Sequence, residues 1–219
     1  CGPRLSHAPA DIAARLIKGD ILAIKGLGGY HLACDATNPD AVERLRARKR
    51  RDGKPFAVMV ASVASARLFS EVSDLEADLL ARRERPIVIT RARVPAPGVP
   101  PIAEAVGRGL PTLGLILPYT PIHYLVFHAL AGAPVGTAWL DLAMPRALVM
   151  TSANISGDPL IADDAEALER LADIADGIVT HDRAIAVRSD DSVMRVVDGA
   201  PAFVRRARGH VPTPIKLAR

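Results

Sequence analysis

The feature that most constrains the fold is the regular alternation of strand-like and helix-like segments along the chain. Short apolar runs at residues 21–25, 56–60 and 112–117 predict buried strands. Helical signals lie between them, such as Asn38 followed by Pro39, which pairs an N-cap with a first-turn proline. Strands that alternate with helices at this rhythm predict one α/β domain with a largely buried, twisted sheet.

Further start and stop signals extend the alternation. Gly19 is placed to end a helix over residues 11–18, and the spacing of Ser73 and Glu76 is that of a capping box. Helices are also predicted at residues 122–130 and 163–171, a proline-rich surface loop at 95–101, and strands at 86–90, 147–150, 178–180, 192–197 and 202–204.

The composition narrows the class of protein. Aromatic residues make up 4% of the chain against 49% hydrophobic residues, so the core is built mainly of Ala, Val, Ile and Leu, which suits a parallel or mixed sheet. Two cysteines provide no disulfide framework, and we expect a cytoplasmic protein. Residues 110–140 carry no Asp, Glu, Lys or Arg, but prolines interrupt them, so no membrane span is expected.

The positive charge is unevenly distributed. The net charge is +4, and the excess lies in two clusters, one within residues 44–54 and one formed by Arg205, Arg206 and Arg208. A run of charged residues usually lies on a solvent-exposed face of a protein. Two separate clusters in a moderately charged chain favour a polyanionic ligand, which is either a nucleoside triphosphate or nucleic acid.

The first cluster ends at a tight turn. Lys49, Arg51 and Lys54 follow a predicted helix and precede a predicted strand, and Gly53 and Pro55 mark the turn between them. Arginine offers a planar fork to phosphate oxygens, and lysine offers a mobile point charge. The segment alone leaves two interpretations open, a phosphate site and a solvated face.

Two other segments have the form of ligand loops. Thr151, Ser152 and Asn154 come directly after a predicted strand, which is a common ligand position in open α/β sheets. A lone Ser-x-Asn, however, is more often a polar loop whose side chains hydrogen-bond to their own backbone. The run from Gly26 to His31 predicts a glycine turn that a ligand can approach closely, and Lys25 precedes it.

The acidic pair Asp190 and Asp191 also has two interpretations. The carboxylates can bind magnesium through water, or they can cap a turn and pair with Arg188 or Arg195. We favour the structural role. The histidines show no metal-ligand spacing.

Taken together, these motifs resemble one family. Lys49-x-Arg51 and Ser152-x-Asn154 resemble the Lys-x-Arg and Ser-x-Asn signatures of YrdC-like domains. The resemblance is closest to the version inside HypF-type carbamoyltransferases, whose characteristic phrases occur in order at residues 23–32, 54–59, 117–123, 190–193 and 205–209. It covers essentially the whole chain.

The resemblance implies a fold and a domain plan. The fold is a YrdC/RibB-like twisted, open, mixed sheet flanked by helices. Residues 9–212 form the nucleotide-binding domain, residues 1–8 are the remnant of an upstream zinc-finger-like region, and residues 213–219 lead toward a Kae1-like domain. Cys1 is the last zinc ligand of that region, and it is not expected to hold zinc here because a structural site needs about four ligands.

The resemblance also implies an activity, with ATP and carbamate as substrates and magnesium as cofactor. The chain forms carbamoyl-adenylate, a step in making the cyanide ligands of nickel–iron hydrogenase. Its implied partners are acylphosphatase-like, zinc-finger and Kae1-like sister domains and a HypE-type acceptor. The implied ATP-binding residues are Lys49, Arg51, Lys54, Thr151, Ser152, Asn154, Arg206 and Arg208. Lys25, Gly28, Gly29, Tyr30 and His31 face the carbamoyl group, and Lys49, Arg51 and Lys25 are the catalytic candidates.

Two other functions compete with this hypothesis. Relatives that make threonylcarbamoyl-adenylate for tRNA modification carry Pro-Thr-x-Thr-x-Tyr-Gly where this chain has Lys25 to His31, with glycine at both threonine positions. A site without those hydroxyls discriminates against threonine, which favours carbamate. The second competitor is a non-catalytic module for double-stranded RNA that uses the same basic clusters; we expect no nucleic acid, because a compact pocket suits them better.

Overall fold

The computed structural model describes residues 8–154 and 158–215. The helices are α1 (Pro9–Ile17), α2 (Pro39–Arg48), α3 (Val63–Phe69), α4 (Asp74–Ala81), α5 (Glu104–Gly107), α6 (Pro121–Leu130) and α7 (Asp164–Arg170), with a 3-10 turn at Ala138–Leu140. The strands are β1 (Leu22–Lys25), β2 (Tyr30–Asp35), β3 (Ala57–Val60), β4 (Ser70–Glu71), β5 (Ile87–Ala92), β6 (Thr112–Ile116), β7 (Ala147–Ser152), β8 (Gly177–Val179), β9 (Val193–Val197) and β10 (Ala200–Arg205).

Within the described ranges the strands form one ten-stranded mixed sheet. Its order is β10-β9-β5-β6-β3-β7-β2-β1-β8, and the short β4 pairs with β5 at one side. The sheet combines parallel pairs such as β3–β6 with antiparallel pairs such as β2–β7. The predicted fold class, a twisted open mixed sheet flanked by helices, is confirmed.

The register of the central strands brings three sequence segments to one end of the sheet. Lys25 on β1 lies opposite Tyr30 on β2, and His31 on β2 lies opposite Ser152 on β7. The end of β1, the start of β2 and the end of β7 are therefore neighbours. The glycine turn and the Ser-x-Asn loop, more than 120 residues apart in sequence, begin from adjacent positions.

The sheet separates two apolar layers. Val42 and Leu45 of α2 pack on one face with strand residues such as Val58. Ile12 of α1 and Phe127 of α6 pack on the other face with residues such as Met59. The core is aliphatic, as the composition indicates. Among the described residues, no helix is both long enough and apolar enough to cross a membrane.

The N-cap predictions are confirmed in detail. The Asn38 side chain accepts a hydrogen bond from the Ala41 N–H at 3.0 Å and starts α2, which then runs to a C-cap at Lys49. Ser73 and Glu76 form the predicted capping box at the start of α4. The start of α2 is thereby anchored, and the position of Lys49 at its other end follows from it.

Five elements were not predicted from the sequence, namely β2, α3, the short β4, α5 and the 3-10 turn. The predicted glycine turn runs through His31, but Tyr30 and His31 are the first residues of β2. That strand contains His, Ala, Cys and Asp and almost no β-branched residues, so it lacks the usual compositional signal. Helix α3 was also missed, although Ser62 caps it by accepting from the Ser65 N–H.

The cap at Asn38 yields a stability prediction. Asn38→Ala leaves the Ala41 N–H without its partner and should lower the free energy of unfolding by about 1 kcal/mol. Urea unfolding followed by circular dichroism measures the change. Glu43→Ala, on the exposed side of the same helix, is the control and should change stability by less than about 0.5 kcal/mol. Equal effects of the two substitutions would contradict the capping role.

Candidate anion-binding site

The site is organised around the side chain of Lys49, which joins the two main sequence motifs. Lys49 is 1% exposed at the end of α2. Its Nζ donates to the Ser152 carbonyl at 2.6 Å, to Asn154 Oδ1 at 2.9 Å and to the Asn154 carbonyl. Ser152 Oγ also donates to Asn154 Oδ1 at 2.8 Å. The structure therefore brings Lys49, Ser152 and Asn154 into direct contact.

Burial and neighbouring charge make the Lys49 ammonium responsive to its surroundings. Burial, and after it the positive charge of Arg51, lower its pKa to about 8, although the carboxylate of Asp190 opposes the change. The three oxygen acceptors stabilise the charged form, so Lys49 is a cation at neutral pH. Asp190 is thus close enough to act on the same site.

Arg51 lies beside Lys49 and is oriented by its own turn. Its Nη2 donates to the Pro55 carbonyl at 2.8 Å, and its guanidinium carbon lies 5.2 Å from the centre of the Phe56 ring. Burial lowers the pKa of Arg51, and the charges of Arg46 and Arg205 lower it further. The turn therefore holds the Arg51 cation close enough to act electrostatically on Lys49.

Arg205 completes the group of cations, although the sequence analysis did not select it. It acts electrostatically on Arg51, and its Nη1 lies 3.6 Å from Asp190 Oδ2. Asp190 therefore acts on Lys49 and Arg205, and Arg51 acts on Lys49, so that three cations accompany one carboxylate, an excess of positive charge suited to a polyanion. The signal for Arg205 was its place in the second basic cluster, but only the fold shows which arginine of that cluster reaches the site.

The other predicted cations have different surroundings. The Lys54 side chain is exposed. Arg206 donates through Nη2 to the His210 carbonyl at 2.6 Å and to the Thr213 carbonyl. Arg208 donates to the Glu84 and Arg85 carbonyls at 2.9 Å each. In this structure Arg206 and Arg208 thus hold main-chain carbonyls. Thr151 is buried within β7.

Lys25 occupies a second place at the same end of the sheet. Its Nζ lies 2.7 Å from Asp164 Oδ1 and donates to the His181 carbonyl at 2.9 Å. The Tyr30 hydroxyl also donates to Asp164 Oδ1, at 2.7 Å. Lys25 contributes to the walls of two cavities, of about 840 and 570 Å³. Among the described residues, neither cavity is lined by Lys49.

The glycines beside Lys25 are packed against the chain itself. A Cβ at Gly28 would lie 2.3 Å from the Ser189 carbonyl oxygen, and one at Gly29 would lie 3.0 Å from Leu160 Cδ2. The Gly28 carbonyl also accepts from the Ser189 N–H at 3.0 Å. The sequence predicts a turn that a ligand can approach closely, whereas in this structure neighbouring segments of the protein pack against it.

A buried polar cluster lies beneath the turn. Asp191 Oδ1 accepts from Arg208 at 2.9 Å, and Asp191 Oδ2 lies 3.6 Å from His31 Nε2. The Tyr119 hydroxyl is 3.2 Å from His31 Nε2, and the Arg208 guanidinium carbon lies 3.7 Å from the centre of the Tyr119 ring. His123 packs edge-on against Tyr119 at 4.7 Å. Four separate segments of the chain therefore meet here.

The acidic pair has a structural role, but the predicted partners were wrong. Asp190 pairs with Arg205 and Asp191 with Arg208, whereas Arg188 pairs with Glu166. Burial alone would raise the pKa of Asp191, but hydrogen bonding to His31 and the charges of His31 and Arg208 hold it well below its usual range. The fold reorders the partners because the chain after β10 returns to the segment before β9.

Within residues 8–154 and 158–215, no three His, Cys, Asp or Glu side chains are grouped to hold a metal ion. Cys1, the implied zinc ligand, lies outside the described residues, as do residues 155–157 and 216–219. Asp190 is the acidic side chain close to Lys49 in the described part.

Comparison with known proteins identifies the family to which the chain is similar. Residues 14–207 match the Sua5/YciO/YrdC family model, which is described as "Telomere recombination". The chain is 54% identical over 214 residues to carbamoyltransferase HypF2 of Cupriavidus necator, covering 96% of this chain and 26% of that protein. It is 49% identical over 213 residues to carbamoyltransferase HypF of Rhizobium leguminosarum, covering 97% and 26%. The chain thus spans about a quarter of the length of these relatives.

A solved structure agrees with this result. The crystal structure of full-length HypF in the phosphate- and nucleotide-bound form is 41% identical, with a TM-score of 0.83, and the match covers 95% of this chain and 30% of that one. The predicted resemblance to YrdC-like domains of the HypF type is confirmed by the family match and by these relatives.

The pKa of Lys49 yields a prediction about anion binding. As the pH rises through about 8, Lys49 loses its charge and the site loses a cation. Pyrophosphate affinity, measured by isothermal titration, should therefore fall by roughly five-fold or more between pH 7 and 9. Lys49→Met should bind pyrophosphate weakly at both pH values. Any change in its affinity with pH then reports the titration of pyrophosphate itself.

Lys18 provides the matched control for that experiment. It is an exposed lysine at the C-cap of α1, as Lys49 is the C-cap of α2. Lys18→Met should keep the wild-type pH profile. A wild-type profile identical to that of Lys49→Met would contradict the assignment of the charge to Lys49.

Proposed function

The chain belongs to the Sua5/YciO/YrdC family, and we propose that it binds ATP at Lys49, Arg51 and Arg205 and converts it with carbamate into carbamoyl-adenylate. The observation that carries the proposal is the contact of the Lys49 ammonium with Ser152 and Asn154. This contact fixes a cation at the end of β7, where open α/β sheets bind ligands. The relatives named carbamoyltransferase support the choice of reaction.

The triphosphate is the part of ATP that the site suits best. Lys49 supplies a point charge and Arg51 and Arg205 supply planar donors, so oxygens on different phosphates can be bound together. Asp190 pairs with Arg205 at 3.6 Å, and its side chain is 45% exposed, so this contact is open to exchange for a phosphate oxygen. Ser152 and Asn154 lie next to the cations and would hold the nucleotide.

The proposed step needs positioning and charge neutralisation more than a covalent nucleophile. A carbamate oxygen attacks the α-phosphorus, the bond from that phosphorus to the oxygen bridging the β-phosphate breaks, and pyrophosphate leaves. The products are carbamoyl-AMP and pyrophosphate, and no proton transfer is required of the protein. Lys49, Arg51 and Arg205 stabilise the negative charge that builds on the leaving group.

Carbamate would bind next to Lys25. The ammonium lies at the end of β1, one strand away from β2 and two from β7, and it borders both cavities. Its present partners are Asp164 and the His181 carbonyl. Lys25 would orient the carbamate, and the glycine turn, with Tyr30 and His31 behind it, would form the wall of this subsite.

Magnesium would be carried mainly by the phosphates. Asp190 is the carboxylate near the cations, and the described residues provide no three-ligand group. Asp190 would hold a magnesium ion through water, and the bound nucleotide would supply the ion's other ligands. The ion would supply further neutralisation of the triphosphate charge.

The wider role follows from the relatives. Both are carbamoyltransferases about four times as long as this chain. We propose that carbamoyl-adenylate is passed to a sister Kae1-like domain and then to a HypE-type acceptor, in the cytoplasm, for the cyanide ligands of nickel–iron hydrogenase. An acylphosphatase-like sister domain would supply the carbamate.

The arginines of the second cluster test the ATP site. Arg205→Met should weaken ATP binding by about ten-fold or more, because a hydrogen bond to a charged group is worth roughly 1.5–3 kcal/mol. Arg206→Met is the matched control, one residue away and directed at the His210 carbonyl, and it should change the affinity by less than about three-fold. Isothermal titration of Mg–ATP measures both. A larger effect at Arg206 would overturn the placement of Arg205.

The reaction is tested by exchange of labelled pyrophosphate into ATP. With bicarbonate and ammonia as the source of carbamate, wild-type protein should support exchange, and Lys49→Met should reduce it by about a hundred-fold or more. Lys18→Met should match wild type. Exchange that required L-threonine would instead identify a threonylcarbamoyl-adenylate synthase, and binding of double-stranded RNA without ATP binding would favour the nucleic-acid module.

A further inference from the structure

We propose that Arg46 is a positioning residue for the anion site, which acts by holding the turn that carries Arg51. This inference rests on the proposed function and deepens it, because it names a buried residue on which ATP binding depends. Arg46 belongs to the basic cluster at the end of α2, yet it is only 2% exposed. It is therefore not part of a solvent-exposed face.

The guanidinium of Arg46 binds main-chain carbonyls of two segments. Its Nη1 donates to the Arg51 carbonyl at 2.8 Å and to the Lys54 carbonyl at 3.1 Å. Nε and Nη2 donate to the Ala105 carbonyl at 2.9 and 2.6 Å, and Nη2 also donates to the Val106 carbonyl at 3.3 Å. Arg46 thus ties the turn between α2 and β3 to helix α5.

These acceptors are all neutral, and within the described ranges Arg46 forms no ion pair with a carboxylate. Glu43 and Asp52 act on it electrostatically without forming such a pair. A buried arginine usually has an acidic partner, because an unpaired charge is costly to remove from water. Arg46 therefore holds the turn without an anion beside it, and its positive charge still acts on Arg51.

The Phe56 ring supports Arg46 and Arg51 together. The guanidinium carbon of Arg46 lies 4.5 Å from the centre of this ring, and that of Arg51 lies 5.2 Å from it. The Lys54 carbonyl also accepts from both side chains, since Arg51 Nε donates to it at 3.2 Å. The two arginines share one ring and one carbonyl, so the position of Arg51 depends on Arg46.

The direction of the turn carbonyls suits an anion site. A carbonyl oxygen repels phosphate oxygens, and the oxygens of Arg51 and Lys54 are directed at Arg46. Without the guanidinium these carbonyls would be free to rotate, and Arg51 would lose its fixed place beside Lys49. A displacement of about 1 Å in a positioning group can cost roughly a hundred-fold in rate.

The experiment asks whether ATP affinity depends on the shape of the Arg46 side chain. Arg46→Lys keeps the positive charge but loses the planar fork that spans two segments. It should weaken the binding of Mg–ATP by about ten-fold, as measured by isothermal titration.

Arg48→Lys is the matched control on the same helix. Arg48 also donates to a main-chain carbonyl, that of Ile174, and it pairs with Asp176 at 2.7 Å, so its bonds lead away from the turn. Arg48→Lys should change the affinity by less than about three-fold.

A double-mutant cycle separates positioning from a general loosening of the fold. If Arg46 acts through Arg51, Arg46→Lys should cost less than about two-fold in an Arg51→Met background and still about ten-fold in an Arg205→Met background. A general loosening would reduce the affinity by the same factor in both backgrounds. Equal factors would therefore overturn the proposal.

Phe56→Leu keeps the test decisive if Arg46→Lys does not give a cooperative thermal melt. It removes the ring shared by Arg46 and Arg51 but keeps an apolar side chain in the core. It should weaken Mg–ATP binding by about three-fold in the wild-type background and by less than about 1.5-fold together with Arg51→Met.

The outcomes separate this inference from the proposed function. Unchanged ATP affinity in folded Arg46→Lys, with ATP binding and pyrophosphate exchange intact in wild type, would overturn the role of Arg46 and leave the proposed function standing. A wild-type protein that bound no ATP would defeat the proposed function itself, and this inference with it. A loss in Arg48→Lys as large as that in Arg46→Lys would also overturn the role of Arg46.

Discussion

The architecture of the site depends on the ion pair between Asp191 and Arg208. Asp191 precedes β9 and His31 is the second residue of β2, and four other strands separate β9 from β2 in the sheet. The two side chains nevertheless lie 3.6 Å apart, and the Tyr119 hydroxyl lies 3.2 Å from the same His31 nitrogen. Removing either member of a largely buried pair leaves an uncompensated charge. The pair therefore sets the relative positions of the glycine turn and the arginine-bearing segment that follows β10.

The Lys49 contact operates within that frame and links packing to chemistry. Helix α2 is fixed by its Asn38 cap and its apolar face. Lys49 is therefore positioned against the carbonyls of the Ser-x-Asn loop with little conformational freedom. An ammonium held in this way positions the loop and still offers charge to a ligand. Arg51 and Arg205 then add charge from two other segments. The candidate site for a polyanion is thus built from helices, strands and turns that are each stabilised by ordinary packing.

The sequence predicted a large part of this arrangement, and the failures have physical causes. The Lys-x-Arg and Ser-x-Asn motifs were found because their residue types suit phosphate and ribose, and the alternating pattern predicted the α/β sheet. Strand β2 was missed because its residues lack β-branched character. The sequence did not show which of Arg205, Arg206 and Arg208 lies near Lys49 and Arg51. The side chains of sequence neighbours point in different directions where the chain turns at the end of β10.

By itself, the amino-acid sequence determined the fold class, the caps of α2 and α4, and the motifs that contribute charge, because periodicity, capping chemistry and residue type are local properties. The tertiary structure alone decided which cations converge, which carboxylates neutralise them, and why Gly28 is a glycine. Some of these contacts join residues more than 100 positions apart, such as Lys49 with Ser152 and Gly28 with Ser189, and others join closer segments, such as Asp190 with Arg205. Distances of this kind are set by the twist and register of the whole sheet.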